Sequence, residues 1–151
     1  MIPAELQQLL VDQLPTVPGV VSAAPWEERP YGIAVTVGAA ASYWTITGAS
    51  STAAPEGANG IGPQPVPELT GGKVRTAEVE QALLAALAAG AGEGQVLRAE
   101  RYSTRPEPPS VRYGATIDTD DRWRLFIACV GTAPVGRKIA HDGYYRAGET
   151  V

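Results

Sequence analysis

Few residues in this chain could do chemistry, and their types and spacing argue against most of it. His141 is the one histidine and Cys129 the one cysteine. His141 stands beside Asp142 in "AHDGYYR", but a nucleophilic triad needs its histidine between serine and carboxylate in space, which adjacent residues seldom provide. No Gly-x-Ser-x-Gly turn is present to carry the serine. One His and one Cys do not furnish the four ligands that a structural zinc site draws from these types. A lone cysteine forms no intramolecular disulfide, and its expected place is the interior.

The carboxylates are no more suggestive. "DTDD", residues 118–121, gathers Asp118, Asp120 and Asp121 in one turn without the downstream Gly and Glu spacing of a calcium loop. Adjacent Glu27 and Glu28 on an extended chain point to opposite sides and do not share an acid–base task. The glycines of "GANGIG" and "TGGK" neither follow a strand nor open a helix with the Gly-Lys-Ser/Thr of a phosphate loop. The expectation is no catalytic residue, no metal site and no cofactor.

Binding is better supported. Arginines at 98, 101, 105, 112, 122 and 124 crowd the second half. Arg98, Arg122 and Arg124 on one strand face would suit a carboxylate or phosphate, but their acidic neighbours make cross-strand ion pairs the expected arrangement. Trp26, Tyr31, Trp44, Tyr102, Tyr113, Trp123 and Phe126 fall in extended stretches or at their ends, mostly as core. Phe126, Ala128 and Val130 alternate away from Trp123, Leu125, Ile127 and Cys129, so that stretch is apolar on both sides. An apolar face without its own cover meets a partner, a ligand or the chain's own linker. Trp26, Arg29, Tyr102, Arg105, Arg122, Arg124, Phe126 and Val130 are the candidate binding residues.

Periodicity defines the elements that would position them. "AELQQLLVDQL", residues 4–14, places Leu6, Leu9, Leu10 and Leu14 at helical spacing between prolines. "TAEVEQALLAALAAG", residues 76–90, does the same with Val79, Leu83, Ala86 and Leu87; Thr76 is the expected N-cap, and Glu78 and Glu80 sit in the positive first turn. After each helix the sequence runs in parallel. "GVVSAAPWEERP" aligns with "QVLRAERYSTRP", "YGIAVTV" with "YGATIDT", and "YWTITG" with "RWRLFIACVG". Each copy therefore reads helix, strand, strand, strand, with an Arg-Pro corner. Pro25 and the prolines at 106, 108 and 109 belong at an edge or corner, because proline donates nothing to a ladder.

The predicted fold is an α+β single domain: an internally duplicated module forming one antiparallel sheet of about six strands, with two helices on one face. Repeat one covers about 3–50 and repeat two about 74–133. Between them, residues 51–73 form a Pro/Gly-rich linker whose Ile61, Val66 and Leu69 are expected along the sheet. The tail, 134–151, matches neither repeat, and its Tyr144 and Tyr145 are expected to pack back as a short strand.

With 151 residues and 44% apolar content, the chain can bury a core without staples. The net charge of −4 offers nothing to phosphate, which excludes nucleic acid as a general partner. No basic, apolar leader opens the sequence and no apolar run spans a bilayer, so a cytoplasmic protein without membrane partners is expected. Arginine's excess over lysine, with abundant Ala, Gly and Pro, is what a GC-rich bacterial genome would impose.

The order of helices and antiparallel strands resembles the small secretion-chaperone type of fold, which binds extended polypeptide; the likeness is architectural and transfers no residues. The function expected is a non-enzymatic binding or adaptor module that holds a protein segment, or a second copy of itself, through an open sheet face or a strand edge. The alternatives are a small-molecule or enzymatic site between the halves using Arg29, Arg105 or His141, and a structural subunit of a bacteriophage or mobile element.

Overall fold

Leu6, Leu10 and Leu14 recur every fourth residue and are fully buried, so the first helix has a narrow apolar stripe that must lie on something. In the computed structural model, which describes residues 1–50, 60–70, 72–106, 110–139 and 147–151, that something is a sheet. The elements are α1 (Pro3–Gln13), a 3₁₀ turn (Leu14–Thr16), β1 (Val20–Trp26), β2 (Gly32–Val37), β3 (Ala40–Ser50), α2 (Thr76–Gly90), β4 (Val96–Arg101), β5 (Gly114–Thr119) and β6 (Trp123–Pro134). The strands form one antiparallel six-stranded sheet in the order β1-β2-β3-β6-β5-β4. The expected α+β class and sheet are thus present.

The order of elements is the same in each half, and the sheet order reads outward from the central β3–β6 pair in both directions. Common order is what duplication would give. Duplication itself is a claim about superposition and descent, which order alone does not establish.

Register explains the core. Ile33 faces Trp44, Ile46 faces Ile127, and Leu125 faces both Gly48 and Ile117 across the ladders, so these side chains share one face. They form a single buried cluster with Leu6, Leu10, Val79, Leu83 and Leu87 from the helices. The buried Trp44 indole donates to Ser42 Oγ at 2.8 Å, which gives its polar edge a partner inside the cluster.

Both helices begin alike: the backbone N–H of Ile2 donates to Glu5 Oε2 (2.9 Å) and that of Arg75 to Glu78 Oε2 (3.1 Å). The glutamate three residues into each helix thus satisfies a donor that the helix leaves free. Thr76, expected as the N-cap, is instead the first helical residue, and its hydroxyl donates to Gly148 O.

The linker touches both the sheet and α2. Gly60 N donates to Leu97 O of β4 at 3.0 Å, Ile61 packs on the core and Leu69 is buried against Gly19, while Gln81 Nε2 of α2 donates to Pro65 O at 2.9 Å and Val66 stays exposed. The contact with α2 follows from that helix's composition, since its Ala82, Leu83, Leu84, Ala85, Ala86 and Leu87 are all buried. A helix apolar all round needs cover on its outer side as well. The tail residues Tyr144 and Tyr145 lie outside the described residues.

The recurrent Tyr-Gly also finds its cause. A β-carbon on Gly32 would overlap the Trp26 carbonyl and crowd the Trp26 ring; one on Gly114, where φ is +154°, would overlap the Ile127 carbonyl and crowd the Tyr102 ring. Each glycine makes room for an aromatic, Trp26 at the end of β1 and Tyr102 just past the end of β4.

Candidate binding surfaces

On the face of the sheet away from the helices, charged side chains of β4, β5 and β6 form a lattice. Asp118 and Arg124 are register partners in the β5–β6 ladder, and Arg124 Nε donates to Asp118 Oδ1 at 2.7 Å. This hydrogen bond raises the Arg124 pKa further. Arg98 pairs with Glu100 two residues on (3.0 Å), and Glu100 also accepts from Arg105 Nε at 2.8 Å. The Arg105 guanidinium stacks 4.7 Å from the centre of the Tyr102 ring, whose hydroxyl lies 2.9 Å from Thr116 Oγ1. Burial pushes the Tyr102 pKa up. With Phe126, these groups line a shallow groove of about 170 Å³. Its arginines already hold carboxylates, one pair across strands (Arg124–Asp118) and two on or beside β4 (Arg98 and Arg105 with Glu100), so the surface is an ion-pair lattice.

Of the eight candidate residues, the groove therefore unites Arg105, Arg124 and Phe126, with Tyr102 beneath Arg105. The others lie apart. Trp26 is buried at the end of β1, its ring 5.0 Å from that of Tyr43 on β3 and tilted 51° to it. Arg29 is half-buried in the β1–β2 connection. Arg122 is exposed at the tip of the β5–β6 turn with a φ of +64°, a left-handed conformation that only glycine adopts without cost. Val130, expected on an open apolar face, is 2% exposed: it is the extra residue of a bulge, between Cys129 opposite Trp44 and Gly131 opposite Tyr43, and it and Ala128 are buried without joining the core cluster under the helices. The second apolar side of β6 is thus largely closed, and only Phe126 is partly open. His141 lies outside the described residues.

Glu80 is the buried polar centre that sequence reasoning passed over as a first-turn helix acid. It is 1% exposed and accepts from Arg101 Nε (2.6 Å), Gly114 N (2.8 Å), Ser103 N (3.2 Å) and Ser103 Oγ. Arg101 is completed by Gln81 Oε1 and Ala77 O. The available signal was position: Glu80 precedes Leu83, Leu84 and Leu87 by three, four and seven residues, on the buried stripe rather than off it. This network joins α2 to β4 and β5, and its saturation marks it as structural. Arg101 and Ser103 also line a polar cavity of about 740 Å³ with Arg75, Tyr113 and Glu149. Neither Arg29 nor Arg105 reaches it.

Cys129 is buried, and burial pushes its thiol pKa up to about 12, so no thiolate nucleophile is available near neutral pH. Among the described residues no group of three or more His, Cys, Asp or Glu is placed to hold a metal.

The two sheet edges differ. β4 carries Arg98, Glu100 and Arg101, and its Leu97 carbonyl accepts from Gly60 N at 3.0 Å, so the linker occupies part of that edge. β1, "VVSAAPW", has no charge; Val21, Ser22 and Ala24 are exposed, Val21 at 64%. Among the described residues only β2 pairs with Ser22–Ala24. A bulge at Val21 and the proline at 25 bound this open row on its two sides.

Comparison with protein-family models, with curated proteins and with solved structures gives no match. No helix among the described residues is long and apolar enough to cross a membrane.

Proposed function

We propose that the chain is a non-enzymatic binding module that accepts an extended polypeptide strand, from a partner protein or a second copy of itself, along the edge of β1. The observation that carries this reading is the contrast between edges: β4 is charged and partly occupied by the chain's own linker, whereas β1 is uncharged, exposed at Val21, Ser22 and Ala24, and, among the described residues, paired over Ser22–Ala24 with β2 alone. Sheet proteins ordinarily blunt a free edge with charge, because its unpaired N–H and C=O groups template further pairing. Strand addition uses those groups for affinity and alternate side chains for specificity.

The bulge and Pro25 limit the ladder to a few residues. At about 1 kcal/mol net per hydrogen bond, such a ladder alone gives weak, reversible association. The exposed Val21 side chain would add apolar contact.

Native mass spectrometry on the gently purified protein tests the reading, with a Val21→Lys/Ala24→Lys variant alongside. Both positions are exposed, so the variant keeps its core. The expected result is a homo-oligomer or a retained polypeptide in the unmodified protein, absent from the variant. A bare monomer at every concentration, or an assembly indifferent to the two lysines, would overturn it.

A further inference from the structure

The ladder beside β1 determines which backbone groups its open edge presents. The two-residue turn Gly38–Ala39 joins β2 to β3, so Val37 and Ala40 form the hydrogen-bonded pair that closes the hairpin. Such pairs alternate along an antiparallel ladder, which makes Val35–Ser42 and Ile33–Trp44 the next two. The intervening residues Thr36, Ala34 and Gly32 therefore turn toward β1, where they face Ser22, Ala24 and Trp26. The backbone groups of Ala23 and Pro25 are left pointing away from the sheet. Ala23 offers an N–H and a C=O there, and Pro25 a C=O alone.

This pattern matches itself in one antiparallel register. With a two-fold axis through Ala23, the two Ala23 residues exchange N–H···O=C bonds in both directions, and each Pro25 carbonyl comes opposite Val21. With the axis at Ala24, Ala23 faces Pro25, and the missing proline N–H leaves one Ala23 carbonyl unbonded in each copy. With the axis at Ser22, Pro25 falls opposite Gly19, where Leu69 of the same chain already packs. The side chains favour the Ala23 axis too. Val21, 64% exposed, meets the exposed Pro25, and the exposed Ser22 meets the exposed Ala24. Residues 14–26 carry no charge and Glu27 comes opposite Gly19, so no like charges are brought together. The residues that flank the stretches outside the description sit away from this edge: Ser50 opposite Trp123, Gly60 at Leu97 of β4, Ile139 beside Gly131 of β6, and Gly148 at Thr76.

Taking β1 as the binding edge, we propose that its occupant is a second copy of this chain, paired two-fold through Ala23 so that two six-stranded sheets join edge to edge. The proline that weakens this edge for other partners is what selects the register. An isologous pair of this kind closes on itself, because each copy spends its one open uncharged edge on the other.

The test uses two single variants of the full chain, Ser22→Cys and Ala24→Cys, oxidised separately and as an equal mixture. Both positions are exposed and Cys129 is buried, so the introduced thiol is the accessible one. In the proposed register residue 22 lies opposite residue 24 of the other copy as a non-hydrogen-bonded pair, about 4.5 Å apart between Cα atoms and within disulfide reach. Like positions are diagonal neighbours, about 7–8 Å apart and beyond it. The mixture is expected to form its mixed disulfide dimer at least about tenfold faster than either variant links to itself. Self-linking of Ser22→Cys or of Ala24→Cys at the rate of the mixture would put the axis elsewhere and overturn the pairing. No cross-link, with Val21–Ala24 amides protected by a different polypeptide, would overturn the self-pairing and leave the β1 edge standing. Neither cross-link nor protection would overturn both.

Discussion

Replacing Glu80 by alanine should be among the most destabilising single changes in this protein. The carboxylate is 1% exposed and accepts from Arg101, Ser103 and Gly114, while the Arg101 side chain is 24% exposed. Its removal leaves a largely buried guanidinium without its counter-charge and two backbone donors without an acceptor. Loss of one partner of a buried pair costs about 3–5 kcal/mol. Arg101 keeps Gln81 Oε1 and Ala77 O and some access to water, so the expected cost sits near the lower end, about 3 kcal/mol. Arg101→Ala should cost a similar amount, because it strands the carboxylate. The double variant should cost about 1–3 kcal/mol less than the two single losses added, since each single change already breaks the shared interaction. Urea unfolding of the four proteins, read as midpoint and slope, measures all three quantities. In Glu80→Ala, amide exchange at Ser103 and Gly114 should quicken before exchange in β3. A Glu80→Ala cost under about 1 kcal/mol, or strict additivity, would refute the view that this network clamps α2 to β4 and β5.

Three further outcomes follow from the packing. Cys129 should resist a thiol reagent in the native protein at neutral pH and react once it unfolds. Because its folded pKa is raised to about 12, the unfolded chain loses the proton first as pH rises past the ordinary thiol value, so stability should fall by about 1.4 kcal/mol per pH unit above about pH 9 relative to Cys129→Ala. Gly114→Ala should cost over about 3 kcal/mol or prevent folding, since the added carbon meets the Ile127 carbonyl, while Gly38→Ala, which meets nothing, costs about 1 kcal/mol for its positive φ. Tyr31→Gly should leave stability unchanged or raise it by up to about 1 kcal/mol by relieving the left-handed tyrosine, as thermal unfolding would show.

The sequence made the fold legible where one physical pattern dominated. The four-residue recurrence of Leu6, Leu10 and Leu14, the alternation of Ile33, Val35 and Val37, and the two Arg-Pro corners led directly to elements that are present. Pairing of Arg98 and Arg124 with nearby acids was legible for the same reason, since opposite charges on one strand face find each other. Val130 is buried where an open face was expected, and strict alternation does not anticipate that it is the extra residue of a bulge. The linker's contact with α2 was not foreseen because the all-round apolar surface of that helix was read as a single stripe. Glu80 was missed by treating a helix-start acid as exposed, although its spacing to three leucines placed it inside. An apolar groove beside Ile2 at the start of α1 was invisible in one dimension, because Tyr31, Gly48 and Trp123 come from three separate parts of the chain and the β3–β6 ladder sets the last two side by side.

The central claim, that β1 is the edge on which this protein takes another strand, is tested most directly by residue-resolved amide exchange at low and high protein concentration and with any polypeptide that copurifies. The account predicts new protection within Val21–Ala24, lost in the Val21→Lys/Ala24→Lys variant, with β4 unchanged. Protection gained along β4 instead, or association that leaves every β1 amide exchanging as before, would contradict it.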